Sequence, residues 1–170
     1  KIVKKNSLIV GNLPYNISSQ ILVKLLRFKK WPPNFSGLIF MFQKELAEKI
    51  TGRFGTTKYG RLSILSNYRL NLINQFNISP NCFFPKPKVT STVLFLKPKN
   101  TKFKIKKIEN LEKITNFIFS SKRKMINKSI KKIFKNKVDL EKKINLNLNS
   151  RPAEIKPEIY YKITQIFEKI

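Results

Sequence analysis

Four short segments hold the residues whose types and spacing could do chemistry. The first is Asn12-Leu13-Pro14-Tyr15. An Asn side chain accepts a hydrogen bond from an exocyclic amine, and the Leu13 carbonyl can accept the amine's second hydrogen. Two acceptors aimed at one NH2 group turn its lone pair toward an electrophile. Pro14 stiffens the turn and removes a competing donor. Tyr15 offers a ring on which an extruded base can stack, for roughly 1–3 kcal/mol. The same four residues also suit an ordinary strand-to-helix turn that uses Asn and Pro for backbone reasons.

The second segment is Phe83-Phe84-Pro85-Lys86-Pro87-Lys88-Val89. An aromatic in a loop stiffened by two prolines can close on the other face of a stacked base, and Lys86 and Lys88 suit phosphates. The plainer reading is a basic surface loop with one Phe tucked into the core. Phe42-Gln43-Lys44-Glu45 and Tyr59-Gly60-Arg61-Leu62-Ser63 are the third and fourth. Lys44 and Arg61 are candidate RNA contacts. Glu45 also reads as a favourable charge in a first helical turn, and Arg61 can equally pair with Glu45 or Glu48.

Much chemistry is excluded. The chain has no His and a single Cys, Cys82, so there is no imidazole acid or base and no internal disulfide. Carboxylates are too few for a metal site, and none is expected. A lone Cys fits a reducing, cytoplasmic compartment. No apolar run approaches the roughly 18 residues of a membrane span. Charge points the other way: 36 Lys and Arg against 9 Asp and Glu give a net charge of +27. Self-repulsion of that size is relieved by a polyanion, and nucleic acid is the leading partner.

These segments need elements to position them. Ser7–Gly11 is a short apolar run that reads as a buried strand, and Ser18 or Ser19 can cap a helix running to about Phe28. Trp31-Pro32-Pro33 breaks that helix. Gly37–Phe42 is a second strand, and Lys44–Arg53 a helix with Leu46, Ala47 and Ile50 on one face. Gly52, Gly55 and Gly60 bracket a flexible basic loop. Arg61–Arg69 is a helix, Leu72–Ile78 a strand, Pro80–Lys88 a loop and Val89–Leu96 an alternating strand. Two strands each followed by a helix, then a final pair of strands, make the tail of an α/β sheet. A composition shift at Lys97-Pro98-Lys99-Asn100 sets the expected boundary between a front domain, 1–99, and a helical, RNA-binding domain, 100–170. Helices are expected there over Ile108–Phe119, Lys122–Phe134, Leu140–Ile144 and Pro157–Ile170.

Taken in order, the four motifs resemble the ribosomal RNA adenine N6-dimethyltransferase family. That family includes the bacterial enzyme for two adjacent adenines near the 3′ end of small-subunit rRNA. Asn-Leu-Pro-Tyr after an apolar strand is similar to the loop of amino-methylating adenine methyltransferases. Phe119-Ser120-Ser121-Lys122-Arg123-Lys124-Met125-Ile126-Asn127 resembles the small-subunit enzyme's basic helix start, and Arg151-Pro152-Ala153-Glu154 its last turn before the final helix.

The resemblance implies an α/β fold: strands four to seven of a Rossmann-like, S-adenosylmethionine-dependent methyltransferase sheet, the last antiparallel, then a small all-helical domain. It implies that Asn12 and Leu13 hold the adenine amine, with Pro14 in the same loop, that Tyr15 and Phe83 flank the base, and that Asn12 also lines the S-adenosylmethionine site. Arg123, Lys124 and Arg151 join Lys44, Arg61, Lys86 and Lys88 as candidate RNA contacts. The implied partner is small-subunit rRNA within an immature subunit, and the complete enzyme is expected to be a monomer. One departure matters. The family's Gly-rich cofactor loop has no counterpart here, and Asp139 is the only Asp. The resemblance therefore starts at the fourth strand, and most of the cofactor site is expected before Lys1. Two rivals are a non-catalytic RNA-binding or ribosome-assembly module and a structural ribosomal protein.

Overall fold

A computed structural model describes residues 4–135 and 140–170. Asp139 lies outside the described residues. The chain forms two compact units: 4–51 with 66–100, and 52–65 with 101–170. Residues 52–65, which the composition shift assigns to the front domain, thus pack with the helical one.

The first unit is a four-stranded sheet with strand order β1-β2-β4-β3. Its strands are β1 (Ser7–Asn12), β2 (Phe35–Gln43), β3 (Leu70–Ile78) and β4 (Ser91–Pro98). β1 and β2 are parallel, and β4 runs antiparallel to both β2 and β3. The last strand is antiparallel, as expected. β2 is paired on both sides, and Phe35, Leu38, Phe40 and Phe42 are all buried. That explains its continuous apolar run, since a strand covered on both faces does not alternate. β1 does alternate, with Leu8 and Val10 exposed.

Helices α1 (Ser18–Leu26) and α2 (Lys44–Thr51) bury Leu22, Leu26, Ala47 and Ile50 in this unit. α1 stops short of Phe28, where a tertiary contact takes the last carbonyls. The buried Arg69 guanidinium donates to the Leu26 carbonyl and, at 2.7 Å, to that of Phe28, and stacks 4.6 Å from the Trp31 ring. Ser18 is not the cap expected. It is the first residue of the helix, and its hydroxyl donates 3.1 Å back to the Tyr15 carbonyl.

α3 (Arg61–Arg69) begins in the second unit and ends in the first. The rest of the second unit is helical: α4 (Ile108–Phe119), α5 (Asn127–Phe134), α6 (Leu140–Ile144) and α7 (Pro157–Phe167). Ile108, Leu111, Ile114 and Ile118 of α4 and Tyr160, Ile163 and Ile166 of α7 form its core, joined by Ile130 and Phe134 of α5. Glu168 ties the two ends together by accepting from the Lys106 and Lys107 amides at 2.7 and 3.0 Å. The helix expected over Lys122–Phe134 starts only at Asn127. Residues 120–126 turn instead, because the Ile126 and Asn127 amides donate to the Ser150 and Leu148 carbonyls at 3.0 and 3.2 Å. Two glycines serve the 52–60 loop. Gly55 sits at φ +84°, and a Cβ at Gly52 would fall 2.5 Å from the Lys58 carbonyl oxygen.

Candidate base-binding site and RNA face

In the first unit the candidate residues converge on one end of the sheet. β1 ends at Asn12 and β2 at Gln43, while β4 starts at Ser91 opposite both Gln43 and Ile78. The carboxyl end of an open α/β sheet is where ligands bind. The turn after β1 closes through the Ile17 amide, which donates to the Pro14 carbonyl at 3.2 Å. Tyr15 is then fixed from the far side: its hydroxyl lies 2.6 Å from Ser91 Oγ, a fully buried side chain. Its ring stays half-buried.

The fold leaves two acceptors unused in this turn. Neither the exposed Asn12 side chain nor the Leu13 carbonyl takes part in a hydrogen bond among the described residues. An amino group presented at the end of β1 would find both.

Phe83 is half-buried in the loop leading to β4, whose first residue holds Tyr15. Phe84 beside it is fully exposed. Lys86 and Lys88 are exposed in the same loop. Lys44 is exposed at the start of α2, where its amide donates to the Thr90 carbonyl at 2.9 Å. Glu45 pairs with Lys49 one turn on, at 2.7 Å.

In the second unit the same amide bonds at Ile126 and Asn127 bring the Lys122–Lys124 turn beside the Arg151 segment. Arg123, Lys124 and Arg151 are all exposed there, and so is Arg61 at the start of α3. The Arg151 turn is held by two phenols: Tyr160 donates to the Pro152 carbonyl at 2.7 Å and Tyr59 to that of Ile155 at 2.8 Å. Burial pushes both phenols far above the ordinary tyrosine range, and Tyr161 and Glu158 add to the shift at Tyr59.

Four cations were missed by the sequence reading. Lys128, Lys131, Lys132 and Lys135 line the exposed side of α5, opposite the buried Ile130 and Phe134. None of the four has an ion-pair partner among the described residues. Their i, i+3, i+4, i+7 spacing was the available signal. Ser91 was missed as well, and nothing in the sequence marks it.

The strand order and the antiparallel last strand are those of part of a Rossmann-like sheet. A crystal structure of a dimethyladenosine transferase from Plasmodium falciparum superposes with a TM-score of 0.78, at 22% identity over 99% of this chain and 69% of that one. The 23S rRNA methyltransferase ErmE gives 0.59 at 18% identity, over 96% and 66%. The family model for ribosomal RNA adenine dimethylase matches residues 2–169, and the chain belongs to that family. Ribosomal RNA small subunit methyltransferase A of Pelagibacter ubique is 41% identical over 168 residues, covering 95% of this chain and 62% of the relative. The protein of that name from Malacoplasma penetrans is 40% identical over 157 residues, 91% of this chain and 56% of the relative. The chain thus spans about three fifths of the length of these two relatives. Among the described residues no helix is long and apolar enough to cross a membrane, and no cluster of His, Cys, Asp or Glu could hold a metal.

Proposed function

We propose that the chain forms the base-holding and RNA-gripping part of an enzyme that dimethylates adenine N6 at two adjacent adenines near the 3′ end of small-subunit rRNA. S-adenosylmethionine would be the methyl donor, an immature small subunit the substrate, and the cytoplasm the compartment, with the complete enzyme acting as a monomer. The observation that carries this reading is the pair of unused acceptors, Asn12 Oδ1 and the Leu13 carbonyl, beside a Tyr15 ring fixed by Ser91.

The target base must leave its stack, which costs a few kcal/mol. Tyr15 stacks on one face, and Phe83 closes on the other. Asn12 and Leu13 then each accept one amine hydrogen, and the nitrogen lone pair is left pointing away from the sheet. The cofactor supplies an electrophilic methyl group. Asn12, at the carboxyl end of β1, also fits a place in the wall of that site; the family's Gly-rich loop is not among these 170 residues. Methyl transfer from a sulfonium needs position more than a strong base, so a site without His is chemically adequate.

The second unit supports the RNA side of the reading. Lys122, Arg123, Lys124 and Arg151, with the α5 lysines, form an exposed cationic face suited to phosphates. That face would serve a non-catalytic RNA-binding module equally, so the test must read chemistry. In the full-length protein, tritiated methyl groups should pass to immature small subunits, and the 170-residue chain should bind RNA without methylating it or holding S-adenosylmethionine at micromolar affinity. RNA binding without transfer by the full-length protein would leave the module reading in its place.

A further inference from the structure

The first unit carries a shallow, open depression of about 300 Å³ outside the base-holding loop. It is lined by Gln43, Lys44, Glu45, Glu48, Val89 and Thr90. Its position is set by the sheet. Gln43 ends β2 directly opposite Ser91, the residue that holds the Tyr15 hydroxyl, and the Lys44–Thr90 bond closes one rim. β2 is the neighbour of β1, and adjacent strands lie about 4.8 Å apart. The cavity therefore opens one strand over from the Asn12–Tyr15 turn.

Size and chemistry narrow the occupant. A volume of about 300 Å³ is at the small end of ligand sites, and suits one nucleotide rather than a longer stretch. The Lys44 ammonium is exposed and can meet a phosphate as a point charge. The half-exposed Gln43 amide presents a donor and an acceptor together, as base-edge recognition requires. The carboxylates of Glu45, paired with Lys49, and of Glu48 would repel a second phosphate. Val89, 42% exposed, gives an apolar wall. A base can rest against this open wall, with its phosphate at the Lys44 rim.

We propose that this cavity takes the nucleotide flanking the target adenine on the same RNA strand, and that Gln43 reads its base. The inference rests on the reading of Asn12–Tyr15 as the adenine pocket. It makes the site a two-nucleotide reader, with selectivity divided between the turn after β1 and the end of β2.

The test uses the full-length protein and synthetic RNA carrying the 3′-terminal target segment of small-subunit rRNA. One probe replaces the 5′ neighbour of the target adenine with an abasic site, a second replaces the 3′ neighbour, and a third replaces the target adenine itself. Wild-type protein should bind one of the two abasic probes roughly tenfold more weakly than intact RNA, the loss typical of one base contact. Gln43→Ala should bind intact RNA about as weakly and no longer distinguish that abasic probe. Gln43→Glu, which keeps the shape and removes the donors, should shift the preference among the four bases at that flank. Equal binding of intact and abasic probes by the wild type would overturn the proposal, and so would unchanged discrimination by both Gln43 variants. The target-abasic probe separates the two readings. If this third probe, which removes the ring that Tyr15 would stack on, is bound as tightly as intact RNA, the adenine pocket is misplaced, whatever the flank shows.

Discussion

The hydrogen bond between Tyr15 and Ser91 makes the most specific demand on experiment. It joins the turn after β1 to the start of β4, across 76 residues of sequence, at 2.6 Å. Ser91 is fully buried, and neither hydroxyl has another partner among the described residues. Tyr15→Phe leaves the Ser91 hydroxyl buried and unpaired, which costs about 1–3 kcal/mol. Ser91→Ala frees a Tyr15 hydroxyl that is only half-buried and can regain water, so about 0.5–1.5 kcal/mol is expected. With both changes no unpaired group remains. The double variant should lie within about 1 kcal/mol of wild type, giving a coupling of about 2 kcal/mol at the middle of these ranges. Urea unfolding of the four proteins measures this cycle. In parallel, Tyr15→Phe keeps the ring and should keep most of the RNA affinity, whereas Tyr15→Ala should lose roughly 1–3 kcal/mol of stacking. Strictly additive single-variant losses would refute the pairing. Equal RNA affinity for Tyr15→Phe and Tyr15→Ala would refute the stacking role.

Two further outcomes follow from the site. Asn12→Ala in the full-length enzyme should lower methyl transfer at least about 100-fold, the value of one aimed polar group in a dry site, while leaving RNA binding nearly unchanged; a filter-binding assay beside methyl incorporation reads both. Reversing the charge of Lys86, Lys88, Arg123 and Lys124 should flatten the plot of log affinity against log salt by about 0.7–0.9 for each phosphate left without its cation, and an unchanged slope would move the RNA face elsewhere.

The elements that position the site were legible because each carries a strong local pattern. β2 is a continuous apolar run because both its faces are buried, and α4 was readable to the residue because its apolar spacing is regular. Failures came where tertiary contacts outvote local signals. Ser18 looks like a helix cap, but the Tyr15 carbonyl claims its hydroxyl. Lys122–Ile126 looks helical, but the segment is held by the carbonyls of Leu148 and Ser150, more than twenty residues on. The motif residues themselves were found from type and order. Their supports were not: Ser91 is one serine among many, and the Gln43 cavity exists only once β2 and β4 are in register.

The last outcome concerns the turn that presents Arg151. Two phenols hold it, Tyr59 at the Ile155 carbonyl and Tyr160 at that of Pro152, and each donates the proton it would lose on ionising. Burial raises both above their ordinary value near 10, so the folded state keeps these protons after the unfolded chain has released them. Below that value the two states bind equal numbers of protons and stability is insensitive to these groups. Above it the unfolded chain binds fewer, so stability must fall as pH rises, by up to about 1.4 kcal/mol per pH unit for each phenol. The abundant lysines titrate in the same range, but those exposed in both states cancel when variants are compared. Tyr160→Phe should cost about 1–3 kcal/mol at neutral pH, because the Pro152 carbonyl loses its donor, and should remove one phenol's share of the alkaline slope. Tyr59→Phe should do the same at Ile155. Since both bonds end in the turn carrying Arg151, either variant should also weaken RNA binding with little change in transfer from bound RNA. Urea unfolding between about pH 9 and 11 gives the slopes. A Tyr160→Phe protein with the wild-type slope would mean that this phenol ionises freely in the folded state, and that the turn is held by something else.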